Sequence, residues 1–259
     1  MEERLYRKII DECSLHKNIE RVILYMSNEP LTDPSLIQRI NYAKEKIPWA
    51  SVHILTNGSL LTEELSEKLI HSKLDWIGVS LHGIRKETLR KAMGIDPELT
   101  INRVIKFFNK AKEHRNIKDF AMITFLGHEY LTTEEKEETF RFWHEQGIER
   151  ISYFDQPISR AGNVKSLPQV AHARIGGCKS LWANEMIHIA ETGEVILCCM
   201  DWKREVVLGD LNAQSIEDVW CSVKYGEVRD QRNGKRDSQN NFICKRCEES
   251  IVLEGAALI

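Results

Sequence analysis

The 259-residue sequence contains no apolar run approaching the roughly 20 residues needed to span a bilayer, which leaves no candidate membrane helix. Its N-terminus, MEERLYRKIIDEC, has no apolar signal core, so the chain is expected in the cytoplasm, with no membrane partner. Clustered basic charge is also scarce. Lys plus Arg number 36 against 39 Asp plus Glu, the signs are interspersed, and the net charge is −3. Phosphate binding wants clustered Lys and Arg, so no nucleic acid is expected as a partner. The densest basic segment, KEHRNIK (112–118), reads as a solvated helix end. Apolar residues are not lacking: at 42% they can fill a core. In such a chain, seven cysteines read as metal ligands or reduced thiols rather than disulfides.

The first 155 residues alternate in character. RVILYM (21–26), VHILT (52–56), WIGVSL (76–81), FAMITFL (120–126) and RISYF (150–154) have the length and near-continuous apolar character of buried parallel strands. Amphipathic helical segments precede and separate them, at 3–16, 62–70 and 98–113. Another opens with Asp33 as cap and Pro34 at its first position, and a last one opens with Thr132 and Glu135, spaced as in a capping box, and runs to Trp143. This alternation implies an α/β fold with a parallel sheet and right-handed crossovers, open or partly closed as a barrel. The chain opens with a helix, although a βα barrel unit begins with its strand. After Phe154 the periodicity stops, and 156–177 reads as a linker. Beyond it, 185–199 reads as a hairpin turning near Thr192-Gly193, 206–211 as a strand and 215–232 as one helix capped by Ser215. CKRC (244–247) closes this small α+β module.

Ligands of parallel sheets bind beyond the carboxyl ends of the strands. Three such ends carry polar residues: Asn28-Glu29-Pro30, Thr56-Asn57-Gly58 and Ser80-Leu81-His82-Gly83. Glu29 can accept from an ammonium, and Thr56, Asn57 and Ser80 supply neutral donors and acceptors. Tyr153, Asp155, His128 and Glu129 follow later strands and are candidates for a base or hydrogen donor, but each reads more readily as a solvated loop residue, and no catalytic residue is assigned.

Cys178, Cys198, Cys244 and Cys247 carry the strongest signal. The spacing is C-x14-G-x4-C, a long gap, then C-x2-C. Four thiolates suit zinc or an iron–sulfur cluster, and spacing alone does not choose between them. Cys199, beside Cys198 in an apparent strand, is expected on the opposite face in the core, with a ligand exchange between the two as the alternative. Cys13 and Cys221 read as small buried hydrophobes on helices.

SNEP, TNG and VSLHG, in that order, followed by TGEVILC, LGDL, SIEDVW and C-x2-C, resemble the radical S-adenosylmethionine enzymes with a C-terminal SPASM or twitch-like domain. The resemblance covers essentially the whole chain. It implies a partial (β/α) barrel over 1–155 that lacks its first strand, a linker over 156–177 and an auxiliary cluster domain over 178–259. It further implies an oxidoreductase in which a 5′-deoxyadenosyl radical abstracts hydrogen from a peptide or small-molecule substrate, with electrons from a donor such as flavodoxin or ferredoxin. Asn28, Glu29, Thr56, Asn57 and Ser80 would lie against S-adenosylmethionine, with Glu29 on its α-ammonium. Cys178, Cys198, Cys244 and Cys247 would hold one auxiliary [4Fe–4S] cluster. A non-catalytic scaffold with a structural four-cysteine site is the alternative.

Three departures stand out. Ser27 and Asn28 replace the family's two glycines, and His82 replaces its aspartate. The C-x3-C-x2-C loop that holds the catalytic [4Fe–4S] cluster occurs nowhere in the sequence. Truncation ahead of an internal methionine is the favoured account, and a degenerate scaffold the other. The same reading leaves RVILYM as an open sheet edge, prone to self-pairing. This polypeptide, given S-adenosylmethionine and a strong reductant, is expected to produce no 5′-deoxyadenosine. Chromatographic detection of 5′-deoxyadenosine above a metal-free control would contradict this.

Overall fold

A computed structural model describes residues 1–155, 157–180 and 182–253. Gln156, at the start of the expected linker, and residues 254–259, at the end of the expected cluster domain, lie outside the described residues. The chain divides into two compact units: Ser14–Pro157, and a second that joins Met1–Cys13 to Ile158–Ile259. The first helix, α1 (Glu3–Cys13), therefore packs with the C-terminal module, although its place in the sequence points to the barrel. Glu12 accepts the Ile216 N–H at 2.7 Å, and Lys8 Nζ donates to the carbonyls of Leu211 and Gln214, each at 2.7 Å.

The Ser14–Pro157 unit holds five parallel strands in chain order. They are β1 (Arg21–Ile23), β2 (Ser51–Thr56), β3 (Trp76–Ser80), β4 (Ala121–Leu126) and β5 (Ile151–Phe154). The connecting helices are α2 (Leu36–Lys46), α3 (Glu63–His71), α4 (Lys86–Met93), α5 (Pro97–His114), α6 (Ile117–Phe120) and α7 (Thr133–Glu145). With strands in sequential order, right-handed crossovers put every helix on the same face of the sheet. That face carries the core: Val52, Ile54, Ile77, Val79, Ile123 and Phe125 are fully buried, with Ile40, Leu69, Val104, Phe107 and Trp143 of the helices. The other face is only half covered. Burial in β2 alternates strictly, with Ser51, His53 and Leu55 part-exposed, so this strand is not buried on both faces as its apolar run predicts.

Other departures are local. β1 is an edge strand and ends at Ile23, three residues short of the expected Met26. Asp33 does not cap a helix: it accepts the Ser35 N–H at 2.9 Å and pairs with Arg39 at 2.7 Å, and α2 begins only at Leu36. α4 was not foreseen. Thr132 caps α7 as expected, but the reciprocal half of the box is missing, because the Glu135 side chain is engaged at the start of α4. There it accepts from the N–H groups of Ile84 (3.1 Å) and Arg85 (2.9 Å) and from Thr88 Oγ1 (2.6 Å).

The second unit contains two small sheets. β6 (Ile175–Cys178) pairs antiparallel with β10 (Ser250–Val252). After α8 (Trp182–Glu185) come β7 (His188–Ile189), β8 (Glu194–Ile196) and β9 (Val207–Asp210), antiparallel in that order, with the β7–β8 turn at Gly193 (φ +99°). The expected helix over 215–232 is two, α9 (Ile216–Trp220) and α10 (Val223–Arg232). Ser215 and Asp218 form a full capping box on the first, and Ser222 starts the second by accepting the Tyr225 N–H at 3.1 Å. Cys221, at this break, is exposed rather than core. Among the described residues, no helix is long and apolar enough to cross a membrane.

Glu135 is 1% exposed and holds three donors, so its removal strands the buried Thr88 hydroxyl and takes the partner from the part-buried Ile84 and Arg85 N–H groups. Glu135→Ala is expected to lower stability by about 2–4 kcal/mol in urea unfolding, from a lost helix cap and unpaired donors. A loss below about 0.5 kcal/mol would refute the cap.

Candidate functional site

Glu29 lies just past β1, where Pro30–Thr32 form a single 3₁₀ turn. Its Oε1 accepts the Leu31 N–H at 3.1 Å and Thr56 Oγ1–H at 2.6 Å, and its Oε2 accepts the Asn57 N–H at 2.8 Å. One carboxylate thus ties together the carboxyl ends of β1 and β2. A carboxylate offers about four acceptor positions, so one on Oε2 stays open to a further donor. The turn that presents these donors is built locally. Gly58 is left-handed (φ +76°), Thr56 Oγ1 accepts its N–H at 3.1 Å, and Asn57 Oδ1 accepts the Ser59 N–H at 2.9 Å. A Cβ on Gly58 would stand 2.8 Å from Val104 Cγ2 of α5.

The other expected cofactor residues are placed differently. Asn28 is exposed and turns back on its own loop, with Oδ1 accepting the Met26 N–H at 3.2 Å. Thr56 is in register with Val79, so Ser80 points to the opposite, half-open face. On that face Ser80 aligns with Thr124, and Thr124 with Ser152. Three hydroxyl residues therefore stand side by side on adjacent strands, about 4.8 Å apart. Sequence reading missed Thr124 and Ser152, because strand register is not legible from one strand at a time.

His82, where the resemblance expects an aspartate, is a neutral ring. Burial, with His128 nearby, lowers its pKa to about 4. Its Nδ1 accepts the Leu126 N–H at 3.3 Å. His128 Nδ1 accepts the Tyr130 N–H at 3.2 Å, which leaves Nε2–H to donate to the His82 carbonyl at 2.7 Å. Tyr153 donates to Asp155 at 3.0 Å beneath the Lys136 ammonium, 4.0 Å from its ring centroid.

In the second unit, Cys178, Cys198, Cys244 and Cys247 line one small cavity, and so does Cys199. Chain elements far apart in sequence supply them: Cys178 ends β6, Cys198 and Cys199 follow β8, Cys244 lies in the 3₁₀ turn Ile243–Arg246 and Cys247 directly follows it. Cys199 does not face away from Cys198, because β8 ends at Ile196 and the alternation that governs a strand no longer applies. Arg232, 1% exposed, stands on the same wall. Burial pushes the thiols up, Cys198 to about 12 and Cys247 to about 11, and drives Cys244 well above its usual value, with neighbouring thiols adding to each. A bound metal centre reverses this balance, since its positive charge makes the thiolates the stable form. The donor set, all sulfur and ranging from part-buried to buried, fits an iron–sulfur cluster or zinc. Among the described residues, no three His, Cys, Asp or Glu side chains already converge as ligands of a single metal ion.

Protonated thiols are poor nucleophiles. In the metal-free chain at pH 8, iodoacetamide is expected to label exposed Cys221 well before Cys198, Cys244 or Cys247. Equal labelling rates by peptide mass spectrometry would contradict the burial of this set.

Known proteins share these features. The profile of the radical SAM superfamily matches residues 1–143, and that of an iron–sulfur cluster-binding domain, SPASM, matches residues 178–248. The S-adenosyl-L-methionine-dependent 2-deoxy-scyllo-inosamine dehydrogenase of Niallia circulans is 22% identical over 253 residues, covering 97% of this chain and 82% of that protein. The crystal structure of BtrN in complex with AdoMet and 2-DOIA superposes with a TM-score of 0.63 at 20% identity, over 96% of this chain and 80% of that one. Native anSMEcpe with bound AdoMet gives 0.64 at 13% identity, over 96% and 78%. At such identities the structural likeness establishes the fold. The profile match over more than half of the chain establishes the family: this protein belongs to the radical SAM superfamily and carries a SPASM domain.

Proposed function

We propose that this chain is the barrel and auxiliary-centre part of a radical S-adenosylmethionine oxidoreductase that acts on a small-molecule or peptide substrate, its catalytic-cluster loop C-x3-C-x2-C being absent from these 259 residues. S-adenosylmethionine, when bound and reductively cleaved, supplies the 5′-deoxyadenosyl radical that removes hydrogen from the substrate. The observation that carries the reading is the Glu29 carboxylate, fixed by Thr56, Asn57 and Leu31 with one acceptor position open. An α-ammonium fits that position. Asn28, Thr56 and Asn57 are the polar neighbours available to the amino-acid end, and Ser80 serves the ribose from the half-open face. Cys178, Cys198, Cys244 and Cys247 would hold one auxiliary [4Fe–4S] cluster, to take up an electron or to bind the substrate. A reductant such as flavodoxin or ferredoxin would supply electrons. In functional terms, 1–155 would handle the cofactor and 178–259 carry the auxiliary centre, with Met1–Cys13 and the expected linker from Ile158 onward packed in the same unit as that centre. Related structures hold 2-DOIA (BtrN) or the Cp18Cys peptide (anSMEcpe) together with AdoMet, which supports either substrate class.

A second reading draws on one fact, the absence of C-x3-C-x2-C from all 259 residues. It makes the chain a non-catalytic scaffold with structural zinc at the four cysteines. The two readings part at the cofactor. By titration calorimetry, the protein is expected to bind S-adenosylmethionine, and Glu29→Ala to weaken binding at least about tenfold, the worth of one charge-assisted hydrogen bond. Glu29→Gln, which keeps a neutral acceptor, should fall between. No binding by the unaltered protein would favour the scaffold.

A further inference from the structure

A cubane cluster takes four cysteines, yet five thiols face the cavity. Cys198 and Cys199 are consecutive in a tight turn, in which the Asp201 N–H donates to the Cys198 carbonyl at 3.0 Å, and both reach the same wall. A second turn packs against Met200, the next residue. Arg160 and Ala161 both have φ 54°, and Gly162 follows at φ 76°. Three successive left-handed residues, two with side chains, form a conformation that persists only when its surroundings hold it. Ser159 Oγ accepts the Gly162 N–H at 2.9 Å, Arg246 Nε donates to the Ala161 carbonyl at 2.9 Å, and Asn163 Nδ2 donates to the Arg160 carbonyl at 2.8 Å. The turn sets the Arg160 guanidinium beside the residues that follow the two cysteines, with Nη1 3.8 Å from Met200 Sδ and the guanidinium 5.5 Å from the Trp202 ring centroid.

We infer that Cys199 is a second ligand-competent thiol at the Cys198 corner of the auxiliary centre, beside Cys198 on the same cavity wall. It stands unligated beside the cluster when Cys198 is bound and takes over that corner when Cys198 is lost. This inference rests on the reading of Cys178, Cys198, Cys244 and Cys247 as cluster ligands. Among the described residues, the other three corners have no such neighbouring thiol on the cavity wall.

The test is anaerobic reconstitution of the full chain with ferrous iron and sulfide, followed by iron and acid-labile sulfide counts and by electron paramagnetic resonance of the dithionite-reduced protein. Cys199→Ala should load like the unaltered protein. Cys198→Ala should keep most of its iron with a changed resonance spectrum. Cys198→Ala/Cys199→Ala should lose at least tenfold, as should Cys178→Ala. Circular dichroism of each metal-free form controls for folding, and Cys198→Ser, of equal size, replaces the alanine if that form is misfolded. A Cys198 variant as empty as the double variant overturns the inference while leaving the four-cysteine reading intact. An unaltered protein that takes up no iron overturns that reading as well.

Discussion

A thiol shut away from water ionises only when a positive charge meets it. That constraint governs the second unit. Cys178, Cys198, Cys199, Cys244 and Cys247 come from three separate stretches of chain and crowd one cavity. Burial and mutual repulsion hold the shifted thiols protonated. The apolar packing around them is modest: Ala161, Ile175, Leu197, Met200 and Ile243 share one small cluster with Cys244 and Cys247. Strands of two to four residues contribute little by themselves. A metal centre that binds only the folded form adds its binding free energy to stability. The small sheets, the left-handed turn at Arg160–Gly162 and the buried Arg232 are arranged around the place where that centre would act.

The barrel unit solves a different problem. Parallel strands leave their carboxyl ends to loops, and loops drift unless something ties them. Here the tie is Glu29, which gathers donors from its own turn and from the β2 end. Glu135 does the same for the loop after β3, as a buried cap on α4. Both carboxylates hold loop backbone in place, but only Glu29 stands at a half-buried position with an acceptor site to spare. The side chain that fixes the loop is then also the one offered to a ligand, and the open face beside it carries the Ser80, Thr124 and Ser152 hydroxyls.

Much of this was legible in the chain. The runs 52–56, 120–126 and 150–154 fall within one residue of β2, β4 and β5, because apolar runs bounded by turn signals are local information. Non-local information was lost. β6 reads Ile-Gly-Gly-Cys and carries almost no strand signal, and its partner β10 lies about 75 residues later. One helix was expected where Ser222 starts a second, since a serine inside a helical pattern can cap as well as continue. Asp33 looked like a helix cap but serves a turn two residues earlier. Cys199 was placed on the wrong face because strand alternation was carried past the end of β8. The thiols of the site were readable from spacing, but their number around the cavity was not. Glu29 stood out from its place alone, whereas its bond to Thr56 needed the fold.

The central claim is that the buried thiols are built for an iron–sulfur centre. Mössbauer spectroscopy of anaerobically isolated, ⁵⁷Fe-grown protein tests it most directly. The account predicts the quadrupole doublet of a diamagnetic [4Fe–4S] cluster with cysteine ligation, at one cluster per chain. A protein that carries one tightly held zinc ion and no iron signal would contradict it.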